Sequence, residues 1–233
     1  VLGALSPDGW PAAPIATGVP GFLSSPDETT LQLAWHPMPG DPVAEAIAQG
    51  RPMAMLGIEL ATRRRNRANG VILLDDADGI RMRVRQSFGN CPQYICTREG
   101  RLMCRSPGPV ERSPTLDAEA RSLITKAATF FVASYAPSGA HGGMDVSHRG
   151  GPAGFARFND DILTVPDYPG NRYFNTFGNF LENPRAGLLF IDFATGDLLH
   201  VTGEATISWC GTERSFDVRV RDVIRRRSAL TFD

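Results

Sequence analysis

Residues Leu188–Thr195 read LLFIDFAT and residues Met55–Thr62 read MLGIELAT. The two stretches lie 133 residues apart and share an apolar run, a single acid and a closing Ala-Thr. The same register pairs Gly21-Phe22 with Gly154-Phe155, Trp35 with Tyr168 and Gly70 with Gly203. A three-residue slip then pairs Pro7 and Gly9 with Pro137 and Gly139. A period this long signals a duplicated domain, not a solenoid of short repeats. The chain is therefore divided near Ser113-Pro114, into residues 1–113 and 114–233.

Working outward from the repeat, composition sets the class. The chain has 233 residues, 24 Lys+Arg against 25 Asp+Glu, 42% apolar and 21% charged residues. That is ordinary globular usage, which excludes disordered and fibrous classes. No apolar run approaches the roughly 18 residues of a membrane span, so a soluble, cytoplasmic protein is expected. A net charge of −1 argues against a bulk nucleic-acid binder. The 24 glycines and 18 prolines exceed average usage of about 7% and 5% and are spread along the chain. Many turns between short apolar runs predict a mainly β fold with a few helices, α+β. Cys91, Cys96, Cys104 and Cys210 show no zinc spacing, no metal site is expected, and reduced thiols fit the cytosol.

The second half is the more legible. Asp117 is placed to cap a helix through Ala118–Ala128. FFVASY (Phe130–Tyr135) reads as a buried strand and Gly143–Arg149 as a second. Gly154–Phe158 and Ile162–Val165 form a hairpin about Asn159-Asp160-Asp161, and Gly170–Leu181 is helical until Asn183-Pro184. Ala186–Phe193, Leu198–Trp209 and Arg214–Ile224 complete an antiparallel set, best closed as a small barrel. The first half repeats this plan, with its helical slot at Asp41–Gln49.

Three segments carry chemistry. Gly142–Phe155 (GGMDVSHRGGPAGF) sets Asp145, Ser147, His148 and Arg149 among glycines. It is either a decorated hairpin or a place where backbone and Arg approach an anionic ligand. Val165–Asn179 (VPDYPGNRYFNTFGN) brings Asn171, Arg172, Asn175 and Thr176 to the start of a helix, as plain caps or as a phosphate site. Arg63–Arg67 (RRRNR) is an exposed basic turn, a nucleic-acid contact, or charge offered to an anion held between the halves. There is no P-loop, GxGxxG or GxSxG, and His36, His141, His148 and His200 have no ligand spacing.

FFVAS, GGMDVSHRGG and LTVPDYPGNRYFNTFGNFLENPRAGLLFIDF, with LATRRRNRANG and QSFGNCPQYI upstream, resemble the pyridoxamine 5′-phosphate oxidase-like flavin-nucleotide-binding split-barrel family, in particular its two-barrel members. The resemblance implies two tandem FMN-binding split β-barrels forming an intramolecular pseudo-dimer, with FMN at their junction. It implies that Val146, Ser147, His148 and Arg149 line the isoalloxazine, with Val165, Pro166 and Asp167 on the adjacent strand. Asn171, Arg172, Asn175 and Thr176 would hold the phosphate, and Arg65, Arg67, Gln86 and Ser87 would reach the flavin from the other barrel. The oxidase clamps phosphate with Ser, Arg and Lys, whereas the only lysine here is Lys126, so the site would rest on Arg and Asn. Met38 and Pro39 stand opposite Asn171 and Arg172, so one FMN per chain is expected, with the first half as scaffold. The implied activity is an FMN-dependent oxidoreductase acting on a small molecule, with His148 as candidate proton donor. The alternatives are an electron-transfer module served by a redox partner protein, or a split barrel holding haem or another cofactor, with His200 or His36 as the histidines to consider. Neither nucleic acid nor membrane is an expected partner, and a monomer or a homodimer is expected.

Overall fold

The computed structural model describes residues 1–89, 91–99, 105–137, 142–169, 174–211 and 213–230. The first half supplies β1 (Leu2–Leu5), β2 (Pro11–Ala12), β3 (Leu23–Asp27), β4 (Thr30–Leu33), β5 (Pro52–Glu59), β6 (Arg64–Asp76) and β7 (Gly79–Gly89). These form one antiparallel sheet in the order β2-β1-β5-β6-β7-β4-β3. After β8 (Val110–Ser113) come α1 (Ala118–Lys126), β9 (Thr129–Ala136), β10 (Gly143–Gly150), β11 (Arg157–Asn159) and β12 (Ile162–Pro166). Next are α2 (Asn175–Glu182), β13 (Arg185–Asp192), β14 (Asp197–Cys210) and β15 (Glu213–Arg226). The second sheet runs β10-β9-β13-β14-β15-β12-β11, the same order strand for strand, with β8 added beside β15. The chain is mainly β, two tandem split barrels of duplicated topology.

The quoted repeat lands on β5 and β13, the third strands of the two sheets. Each lacks the apolar–polar alternation of a half-exposed strand because both of its faces are buried. On β5, Met53 and Met55 enter the first core with Leu33, Ile72 and Met82. Ala54 and Leu56 face the other way, into a cluster shared with Phe131, Ala133, Val146, Leu189 and Ile191 of the second half. On β13, Leu188 and Phe190 enter the second core, while Leu189 and Ile191 enter the shared one. The two barrels therefore join through a common apolar layer.

The paired glycines mark the same defect in both sheets. The β6–β7 ladder shifts register between Asn69 and Gly70, and the β14–β15 ladder between Thr202 and Gly203. A Cβ on Gly70 would lie 1.8 Å from the Arg83 carbonyl oxygen, and one on Gly203 2.2 Å from that of Arg219. Only glycine permits so close a backbone approach at a bulge.

Four expectations change. Asp41–Gln49 is not a helix: Asp41, Ala44 and Ala46 donate to Met38, Asp41 and Val43, successive three-residue turns. Nine residues are too few to hold a helix without packing, and Asp41 is drawn aside by Arg226, 2.7 Å away. Residues 154–156 precede the β11 strand instead of belonging to it, and α2 begins at Asn175. The second sheet has eight strands, β8 adding one to the seven ranges expected. Asp117 does cap α1, accepting from the Ala120 amide at 2.7 Å. No helix among the described residues is long and apolar enough to cross a membrane.

Candidate functional site

Strand β10 is buried along nearly its whole length and crosses against β5 and β6 of the first half. Met144 and Val146 belong to the shared apolar layer, where a ring edge of Phe131 also meets His148 with centroids 5.7 Å apart. Alternation sends Asp145, Ser147 and Arg149 to the opposite face. There they meet polar groups from β6, β12 and α2. Arg67 Nη1 donates to both Asp145 oxygens, at 2.9 and 3.1 Å, in a fully buried ion pair between the halves. Ser147 Oγ donates to Asp145 Oδ2 at 3.1 Å, and Thr176 Oγ1 to Ser147 Oγ at 3.1 Å. Amides of Asn69 and Asn175 lie 3.5 Å from Asp145 Oδ1, and Asn69 is 3.4 Å from Gln86 Oε1.

One residue pair further along, Arg65 Nη1 is 3.2 Å from His148 Nδ1. A guanidinium only donates, so Nδ1 accepts and the imidazole proton sits on Nε2. That Nε2 is buried without a hydrogen-bond partner among the described residues. Burial, reinforced by Arg65, Arg149 and Arg67, pushes the His148 pKa down to about 3. At neutral pH His148 is thus a neutral donor, not an imidazolium acid. Asp167 lies 3.1 Å from Arg214 and 3.9 Å from Arg149. Burial lowers the Arg65 and Arg149 pKa values to about 10, which leaves both charged at neutral pH.

The charge balance of this cluster is uneven. Among the described residues, Arg65, Arg67, Arg149 and Arg214 face two carboxylates, Asp145 and Asp167, at or near the buried core. Excess cationic charge removed from water is costly unless an anion compensates it. Two spaces adjoin it. A small void of about 40 Å³ is lined by Arg65, His148, Arg149, Asp167, Tyr94 and Tyr168. A larger groove of about 790 Å³ is lined by Asn69, Gln86, Asp145, Phe174 and Asn175, within the range of small-molecule sites.

The expected site residues are placed as follows. Ser147, His148, Arg149, Asp167, Asn175, Thr176, Arg65, Arg67 and Gln86 come together, with Pro166 on the wall of the void. Val146 is packed in the shared layer and Val165 in the second core. Ser87 follows Gln86 on β7, so alternation turns it away to an exposed position. Asn171 and Arg172 lie outside the described residues. Sequence reading passed over Asn69, Tyr94 and Arg214. Asn69 was detectable, since residues 65, 67 and 69 share one face of a strand. Tyr94, whose ring stacks 5.4 Å from Tyr168, and Arg214 arrive through tertiary contacts alone.

Comparison with known proteins finds one family model and several distant solved structures. Residues 116–225 match a family model described as pyridoxamine 5′-phosphate oxidase. Among solved structures, HupZ from Group A Streptococcus is 16% identical with a TM-score of 0.35, covering 46% of this chain and 90% of its own. A Clostridium acetobutylicum protein related to general stress protein 26, of the pyridoxinephosphate oxidase family, is 11% identical with a TM-score of 0.34, covering 48% and 87%. No curated protein matches the sequence. The second half thus matches the pyridoxamine 5′-phosphate oxidase family model, and the first half repeats its strand order.

Proposed function

We propose that the chain binds FMN at the junction of its two halves and works as an FMN-dependent oxidoreductase on a small molecule. The observation that carries this reading is the surplus of guanidinium charge around β10, which calls for a polyanionic ligand. The donor set fits a flavin nucleotide. Arg65 Nε and His148 Nε2 are buried and lack partners among the described residues. Asn69, Gln86 and Asn175 offer amide donors and acceptors on the wall of the larger groove. The first amides of α2 have no side-chain cap, because the residue before the helix is Phe174. Such an end attracts phosphate, with Asn171 and Arg172 just upstream.

Bound there, FMN supplies the electron-transfer chemistry, and the protein supplies position and charge. Asp145 holds Arg67 in place, so this guanidinium presents fixed positive charge at the junction. The His148 Nε2–H offers a hydrogen bond from a neutral ring. Tyr94 and Tyr168, their ring centroids 5.4 Å apart, supply aromatic wall to the small void. The first half has turns where the second has α2, so one flavin per chain is expected. The substrate is a small molecule or, in the electron-transfer alternative, a redox partner protein. The setting is cytoplasmic, in keeping with free thiols at Cys91, Cys96 and Cys210.

The test is the visible spectrum of the purified chain and chromatography of any released chromophore. FMN near one per chain, reduced in Arg149→Ala and Arg172→Ala, is the expected result. A colourless protein that FMN does not reconstitute overturns the reading. Two FMN per chain would keep the cofactor and discard the single-site argument.

A further inference from the structure

The wall of the small void carries a residue that the flavin reading does not use. Cys91 lies there with Arg65, Gln93, Tyr94, His148 and Arg149. The void shares no lining residue with the larger groove. Cys91 is exposed, so solvent reaches its sulfur. The loop that carries it is nonetheless fixed. Ile95 is buried, at 4% exposure. Tyr94 takes a left-handed backbone, with φ of 65°, a conformation that a non-glycine residue keeps only where its surroundings impose it. Its ring centroid lies 5.4 Å from that of Tyr168. Its carbonyl oxygen rests against β10, where a Cβ on Gly150 would come within 2.1 Å of it. The Cys91 thiol donates to Gln93 Oε1 at 3.8 Å.

The other polar groups on this wall are mostly donors. Arg65 Nε and His148 Nε2 are buried without a hydrogen-bond partner among the described residues, and His148 is 4% exposed. Because Nδ1 accepts from Arg65, His148 Nε2 has a proton to donate. The carboxylate on this wall, Asp167, is met by Arg214 at 3.1 Å and Arg149 at 3.9 Å. Burial and Arg67 lower the Arg65 pKa while the Cys91 sulfur raises it, so sulfur and guanidinium are close enough to attract. A cysteine attacks as its thiolate, the form that neighbouring positive charge favours. At about 40 Å³ the void takes a ligand of only a few heavy atoms, since one water needs about 10–15 Å³.

We propose that Cys91 is a modification site for hydrogen peroxide, with Arg65 and His148 as the donors that receive the departing oxygen. The Cys91 thiolate attacks one peroxide oxygen. A sulfur–oxygen bond forms and the oxygen–oxygen bond breaks. Sulfur is oxidised to a sulfenic acid and the peroxide is reduced. The departing hydroxide, hydrogen-bonded by Arg65 Nε and His148 Nε2, takes a proton from solvent and leaves as water. That proton replaces the one the thiol released. Donors already fixed where negative charge develops lower the barrier. Cys210 is the internal control: it is also exposed, but its cross-strand neighbour is Glu213, an acid.

The test is dimedone trapping on the full chain, as purified, treated with hydrogen peroxide at neutral pH. Peptide mass spectrometry reads the labelling at each cysteine. Cys91 should be labelled about tenfold faster than Cys210 or more, the worth of one hydrogen bond to a charged group. Arg65→Gln and His148→Phe should each slow Cys91 by about the same factor and leave Cys210 unchanged. Equal rates at Cys91 and Cys210 in the unsubstituted chain overturn the proposal, and that comparison needs no variant to fold. A Cys91 rate that neither substitution moves also overturns it. The reaction requires no flavin, so Cys91→Ser should keep the flavin content of the unsubstituted chain. A failure of the flavin reading is thus seen in absorbance, and a failure of this one in trapping.

Discussion

Two buried charge arrangements dominate at the level of single residues. Arg67 and Asp145 are desolvated together and satisfy each other. Removing one partner strands the other, so Arg67→Ala should lower the unfolding free energy by about 3–5 kcal/mol. Replacing both by apolar residues of similar size should cost less, and urea denaturation of the three variants measures the difference. His148 and His200 present the opposite case, rings kept neutral by burial, each with a pKa of about 3. In the unfolded chain they titrate near 6.5. Below that pH the unfolded chain binds protons that the folded chain refuses, so stability declines as pH falls from 6.5 towards 3. His200→Phe removes one such group and should flatten the decline, read as urea midpoints at pH 7.5 and pH 5. Arg65, Arg67, His148 and Arg149 were legible in the sequence as an unusual basic and glycine-rich pairing. Tyr94 was not, because a residue in a loop without periodicity carries no mark of what it will stack against.

Strands and helices follow the sequence where local signals agree. Strand β13 spans Arg185–Asp192 and β5 spans Pro52–Glu59, the same interval under the 133-residue register. The bulge glycines are the corresponding constraint between strands. Gly203→Ala would set a methyl group 2.2 Å from the Arg219 carbonyl oxygen and push β14 and β15 apart. A loss of about 1–3 kcal/mol is expected, the cost of overpacking, and thermal unfolding of the variant checks it. Alanine at the exposed strand glycine Gly57, which has φ outside the left-handed region and only a distant neighbour, is the control. The helix expected at Asp41–Gln49 failed for a reason of the same scale. Its propensity was adequate but its length was marginal, and a contact from Arg226, 185 residues away, decided the backbone instead.

At the scale of the whole molecule the halves are not independent. The shared apolar layer takes Ala54 and Leu56 from one barrel and Phe131, Ala133 and Val146 from the other. The ion pairs Arg67–Asp145 and Arg226–Asp41 cross the same boundary in both directions. The barrels should therefore unfold together. Leu56→Ala, in the first half and fully buried, should cost about 2–5 kcal/mol. Fluorescence of Trp10 in one half and Trp209 in the other should report coincident transitions, in single-tryptophan backgrounds. Separate transitions would refute a common core.

The sequence by itself determined the duplication, the β character and the strand intervals, because periodicity and turn chemistry act between near neighbours. It also marked the segments that carry charge to the junction. The tertiary structure alone decided which of those charges meet. The match of Arg67 with Asp145, and of His200 with no acid at all, depends on how two bulged sheets pack across one another. Distances between strands from opposite halves, and the loss of water from between them, are not encoded in any local run of residues. They arise only when both apolar faces of β5 and β13 find their cover.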